Sequence, residues 1–189
     1  RHSCFAITEP GAGSDARNIK TRAVRDGDDW IINGEKIFIT GGNEADFVMV
    51  FAVTDPEKGS EGGITCFLVD HDMGWTSSPI ATMGEWGPAS LLFDNVRVPN
   101  ENVLGEVGWG FKLAMQWIGN GRYLIPSGAI GGAERLLDMA IEHSKNRVSM
   151  GHAIADYQAI QWQIADSYVE IEQAKWLTLF AAWQLENGQ

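Results

Sequence analysis

Near Gly108 the spacing of apolar residues changes from about two to about 3.6, so a strand-rich half is followed by a helix-rich half. Before that point, short β-prone runs are separated by Gly, Pro, Asn and Asp, the pattern of an antiparallel barrel or sandwich. Strands are expected at residues 4–7, 47–53, 64–69 and 91–98, with a polar connection at 55–63. Trp30, Ile31 and Ile32 lead into Asn33-Gly34 and the apolar run resumes at Lys36 to Ile39, which predicts a type I′ hairpin at Asn33-Gly34. After Gly108, Phe111, Ala114, Met115 and Ile118 form one helical stripe. Ile130, Ala133, Leu137, Ala140 and Ile141 form a second, beyond a break at Pro126. A third helix is predicted from Asp156 as N-cap, carrying Ile160, Ile164, Tyr168 and Ile171 toward Leu177, Phe180 and Ala181. The expected class is therefore α+β: an antiparallel β-barrel or sandwich over residues 1–104, then the first helices of an all-α bundle over residues 108–189. Trp162, Trp176 and Trp183 add more aromatic surface than these helices can bury among themselves, so further helices or another subunit should cover them.

The segment ITEPGAGSD at residues 7–15 is the strongest local candidate for a binding loop. Pro10 cannot donate to a sheet ladder and forces the chain out of the preceding strand. Gly11 and Gly13 permit positive φ and close backbone approach, while Ser14 and Asp15 offer a hydroxyl and a carboxylate that can orient a ligand or start a helical turn. Such a loop suits a phosphate or the edge of a flavin, although GxG alone is an ordinary turn more often than a site.

A net charge of −11 argues against a sequence-independent nucleic-acid binder, which needs a basic field to displace phosphate counterions. Hydrophobic residues make up 44% and charged residues 21%, so a packed globular chain is expected rather than disorder. Cys4 and Cys66 are too few for a disulfide framework and lie in apolar runs, which suits buried thiols and a reducing compartment. No apolar run reaches the roughly 20 residues a bilayer span needs, and the first residues lack a signal-peptide pattern. His2, His71, His143 and His152 show no metal-ligand spacing and read as surface residues.

The loop ITEPGAGSD resembles the flavin-binding loop of the acyl-CoA dehydrogenase family. INGEKIFIT at 32–40 is similar to the family's second flavin-contacting strand, and FDNVRVPNENVLG at 93–105 to the exit from its middle β domain. GWGFKLAM at 108–115, Arg122, and Arg147 with Gly151 and Gln158 are similar to the opening of its C-terminal helical domain. The likeness spans essentially the whole chain. It implies a fragment that lacks the family's N-terminal helical domain and later C-terminal helices.

The resemblance further implies FAD as cofactor and α,β-dehydrogenation of an acyl-CoA, with α-proton abstraction and hydride transfer to the flavin. Phe5, Ile7, Thr8, Gly13 and Ser14 would line the flavin, and Phe38, Ile39 and Thr40 would meet it from the second strand. Phe38 stands where the family often has Trp, keeping an apolar face without the indole donor. Arg147 would reach the pyrophosphate, Met150 stands where Phe is usual on the adenosine side, and Gln158 would contact flavin across a subunit interface. Ser14, Asn120 and Arg122 would lie toward the acyl-CoA. No residue here is assigned as catalytic base: Gly121 precedes Arg122 where some members carry a glutamate, and most members place it at a position beyond Gln189. Expected partners are an electron-transfer flavoprotein and further copies of the chain as a homotetramer. The expected location is the cytoplasm, or the mitochondrial matrix in a eukaryote. A non-catalytic flavin-binding relative, an acyl-CoA oxidase and a β-sandwich interaction module remain alternatives.

Overall fold

The structure, a computed structural model, describes residues 1–84 and 87–188. The chain divides into two compact units, Arg1–Gln116 and Trp117–Gln189.

The first unit is built on one mixed sheet. Its strands are β1 (Ser3–Ala6), β2 (Arg22–Asp26), β3 (Asp29–Thr40), β4 (Phe47–Val53), β5 (Ile64–Asp70), β6 (Thr76–Pro79) and β7 (Pro88–Pro99). They run in the order β1-β4-β2-β3-β7-β6, with β5 also paired to β4. The expectation of an antiparallel sheet is corrected: β1 runs parallel to β4 from Ser3↔Phe47 to Ala6↔Val50, and β2 meets β4 in parallel at Arg22↔Val53. The reason is topological. The chain leaves β1, builds the β2-β3 ribbon, and returns as β4, which pairs in parallel with β1 and β2, while β5 pairs with it antiparallel from Phe47↔Asp70 to Val53↔Ile64. Residue period records which face a side chain takes and says nothing about which strand lies next to it.

Alternation along β4 divides the core. Val48, Val50 and Ala52 join one apolar cluster with Trp30, Ile32, Phe67 and Phe93, while Phe51 joins a second with Ile7, Ile64 and Cys66. Ala114, near the start of α1 (Gly110–Asn146), closes the second cluster. Cys4 and Cys66 are buried free thiols, and burial pushes their pKa values up to about 11 and about 12.

The predicted hairpin at Asn33-Gly34 does not occur, because β3 runs straight through both residues. The reversal lies at Gly27-Asp28, where Asp26 pairs with Asp29 and Gly27 takes φ +64°. Asn33-Gly34 instead forms one side of a bulge, since the register with β7 shifts between Ile32 and Gly34. Asn95 is the extra residue, with φ +52°, and its amide donates to Asn33 Oδ1 at 2.8 Å. Gly34 serves close approach: a Cβ there would lie 2.7 Å from Thr21 Cα.

In the second unit, the predicted break at Pro126 is absent, and α1 continues for 37 residues with the proline inside it. Proline's fixed φ is already helical, so the helix loses the bond to the Arg122 carbonyl and continues. Asp156 is likewise not the N-cap of α2 (Gln158–Glu186): Tyr157 occupies that position, without a side-chain cap, and Asp156 belongs to the preceding 3-10 turn. Between the helices, β8 (Val148–Ser149) and β9 (His152–Ala153) form a small hairpin whose loop residues Met150 and Gly151 both have positive φ, 52° and 85°. Positive φ at both loop positions is the mark of a type I′ turn. Trp162, Trp176 and Trp183 are exposed on α2, as are Leu177 and Phe180.

Candidate functional site

The loop after β1 closes on itself before it meets anything else. Glu9 and Ala12 exchange backbone hydrogen bonds, each 3.0 Å, around Pro10-Gly11. Neither Gly11 nor Gly13 takes positive φ, so the conformational freedom expected of them is not used. A Cβ on either would meet nothing within 4 Å, and the absent side chains leave open surface beside the turn. Asp15 starts a turn, as one of its two expected roles: its carboxylate pairs with Arg17 Nε at 3.0 Å and accepts from Asn18 Nδ2 at 2.5 Å.

The loop is fastened to β3. The amide of Ile37 donates to the Thr8 carbonyl at 2.9 Å, next to the second bulge of β3. Phe38 is the extra residue there, with φ +59°. Positive φ in a bulky residue is uncommon and turns the ring out of the sheet's alternation. The ring is 62% exposed, while Ile39 beside it is buried in the core. Thr8 is half-buried, and among the described residues no hydrogen bond occupies its hydroxyl.

Beneath this junction lies an ion pair that the sequence reading missed. Lys36 is fully buried and Glu9 is 7% exposed, with Nζ and Oε1 2.8 Å apart. Lys36 Nζ also donates to the Ile7 carbonyl at 3.2 Å. The Glu9 carboxylate accepts from the amides of Lys20 at 2.6 Å and Thr21 at 2.9 Å. Burial pushes the Lys36 ammonium down to about 8, against the pull of Glu9. Burial also works to raise the Glu9 carboxyl, but the Lys36 charge and the hydrogen bonds outweigh it and leave Glu9 below its ordinary value. The signal was present: Trp30, Ile32 and Lys36 share a phase of β3, and a lysine in the core phase requires a buried carboxylate.

The expected site residues therefore separate by what they can offer. Thr8, Gly13, Ser14, Phe38 and Thr40 present surface, whereas the side chains of Ile7 and Ile39 are committed to the core. Phe5 is half-buried against Phe51, ring centroids 4.7 Å apart. The remaining residues belong to the helical unit. Asn120 and Arg122 are exposed on α1, with Asn120 Oδ1 accepting from the Tyr123 hydroxyl at 3.3 Å. Arg147, Met150 and Gln158 gather around the β8-β9 hairpin. The Arg147 carbonyl accepts from the Ile154 amide at 2.8 Å, and Tyr157, next to Gln158, donates its hydroxyl to the Ser149 carbonyl at 2.9 Å. The turn that gives Met150 its positive φ also leaves it 92% exposed. Among the described residues no cluster of His, Cys, Asp or Glu is arranged to hold a metal, and no helix is long and apolar enough to cross a membrane.

An exposed aromatic ring, an unengaged hydroxyl and an open glycine turn, all fixed to one strand, fit a planar ring system with a polar edge. The family model described as the acyl-CoA dehydrogenase middle domain matches residues 4–96, and that of the C-terminal domain matches residues 108–189. The chain belongs to the acyl-CoA dehydrogenase family. It is 41% identical to a cyclohex-1-ene-1-carbonyl-CoA dehydrogenase of Geobacter metallireducens, over 98% of this chain and 50% of that protein. It is 40% identical to the mitochondrial short-chain specific acyl-CoA dehydrogenase of Rattus norvegicus, over 97% of this chain and 45% of the relative. Butyryl-CoA dehydrogenase from Megasphaera elsdenii superposes with a TM-score of 0.90 at 40% identity, covering 99% of this chain and 50% of the solved one. The chain thus spans about half the length of the relatives it matches.

Proposed function

We propose that this chain carries flavin- and acyl-CoA-binding surfaces of an FAD-dependent acyl-CoA dehydrogenase. In that reaction a base takes the α-proton of the thioester, the β-hydrogen departs as hydride, and an α,β-unsaturated acyl-CoA results. The observation that carries the reading is the Thr8 loop fastened to the Phe38 bulge, which sets a free hydroxyl and an exposed ring on one edge. FAD, when bound, supplies the two-electron acceptor for the hydride.

Each residue then has a defined task. The Thr8 hydroxyl and the open backbone near Gly13 and Ser14 donate to the polar edge of the ring system, where donors favour developing negative charge. Phe38 covers an apolar face and Thr40 adds a hydroxyl from the same strand. Ile7 and Ile39 act through their backbone, because their side chains are in the core. Phe5 supports the loop by packing on Phe51. The Arg147 guanidinium pairs with the pyrophosphate, which a planar fork matches better than an ammonium. Met150 lies at the adenosine side, and Gln158 serves a neighbouring copy in a homotetramer. Ser14, Asn120 and Arg122 are assigned to the acyl-CoA.

Glu9 is not the base. Its carboxylate is filled by Lys36 and two amides and is held below its ordinary pKa, opposite to the upward tuning a base at neutral pH requires. We assign the base to a glutamate outside these 189 residues. An electron-transfer flavoprotein is the proposed acceptor, and the cytoplasm or the mitochondrial matrix the proposed location.

The test is anaerobic titration of the FAD-loaded full-length protein with acyl-CoA thioesters of graded length, starting from butyryl-CoA. Bleaching of the flavin's visible band together with enoyl-CoA formation is expected. No bleaching with any thioester refutes the dehydrogenase, and rapid reoxidation on admitting air points to an oxidase.

A further inference from the structure

The Glu9-Lys36 pair sits where neither surface chemistry nor packing requires a charge. A buried ion pair is often no more stabilising than apolar residues of the same volume, so its presence under a binding loop calls for another account. Its hydrogen bonds supply one. Lys36 Nζ holds the Ile7 carbonyl, and one residue further along each segment the Ile37 amide holds the Thr8 carbonyl. On its far side, the Glu9 carboxylate takes the amides of Lys20 and Thr21. A methionine in place of Lys36 could fill the volume but could hold neither the Ile7 carbonyl nor the carboxylate.

We propose that Glu9 and Lys36 are positioning residues for the cofactor edge: their buried pair locks the loop bearing Thr8 to the strand bearing Phe38 and sets the orientation of a bound flavin. The inference rests on the function proposed above. Both residues act through others, since Lys36 is wholly enclosed and the Glu9 carboxylate is fully engaged. The lock joins two short segments: Thr8 directly follows Ile7, and only Ile37 lies between Lys36 and Phe38. A shift of the pair is therefore passed on to the exposed groups with little slack.

The test uses the full-length protein and compares wild type with Glu9→Gln, Lys36→Met and the double variant. FAD affinity is read by fluorescence, flavin orientation by the visible circular dichroism of the FAD-saturated protein, and stability by thermal melting. Each single variant is expected to weaken FAD binding by about tenfold, the equivalent of one lost charged hydrogen bond. Each is also expected to alter the flavin dichroism at saturation. The double variant, which leaves no unpaired buried charge, should recover melting temperature relative to Lys36→Met without recovering the wild-type dichroism. Lower melting temperatures with unchanged FAD affinity and dichroism would make the pair purely structural and overturn the proposal. Glu9→Gln keeps the side chain's size and an acceptor for one of the two amides, so it decides the question if Lys36→Met does not fold. Failure of the wild-type protein itself to bind FAD would instead sink the functional reading, and this inference with it.

Discussion

Glu9 shows how one side chain can be read in two ways. In sequence it is a polar residue of a glycine turn, yet in the fold it is the buried acceptor for Lys36 and for two backbone amides. Its folded pKa lies below its ordinary 4.5, so the stability it contributes is present above that value and is lost as the pH falls through the lower folded one. The gap in unfolding free energy between wild type and Glu9→Gln is therefore expected to be widest near neutrality and to close in acid. Denaturant titrations at a series of pH values measure it, and a gap independent of pH would show that the carboxylate is not held ionised. Phe38 teaches a related lesson. Strand alternation was legible around it, but its exposure comes from a positive φ that residue type does not announce.

Among the elements, β3 departs most from its sequence pattern. Asn33-Gly34 is a strong hairpin signal, but Asn33 accepts the Asn95 amide across the sheet and the strand passes on. The actual reversal at Gly27-Asp28 is accompanied by Arg97, which pairs with both Asp26 and Asp29 from the neighbouring strand. Local turn propensity lost to a longer pairing, because β3 and β7 gain a continuous apolar face only if β3 does not turn at Gly34. Gly34→Ala is consequently expected to destabilise the protein by about 2 kcal/mol or more, since its Cβ would collide with the Thr21 backbone as well as the Thr21 side chain, and the backbone cannot swing aside. A chemical-denaturation midpoint equal to that of wild type would contradict that close approach. Pro126 is the helical counterpart: a breaker by residue type, it sits inside α1 because its φ suits the helix.

For the whole molecule, the helical unit leaves Trp162, Trp176, Leu177 and Trp183 exposed. Apolar surface on this scale rarely remains wet. The 189-residue chain on its own is expected to self-associate as its concentration rises, measured by sedimentation velocity, and a monomer across the micromolar range would contradict this. Local period, residue size and short motifs were enough to read the change from strands to helices, the positions of most strands, the two buried thiols and the family. Pairing between segments alone fixes that the sheet is mixed, that Asn33-Gly34 runs through opposite the bulge at Asn95, that Met150-Gly151 makes the type I′ turn, and that Lys36 finds Glu9. Each of those depends on which segments become neighbours. That choice is made by pairing and burial between residues far apart in the chain, and no local pattern encodes it.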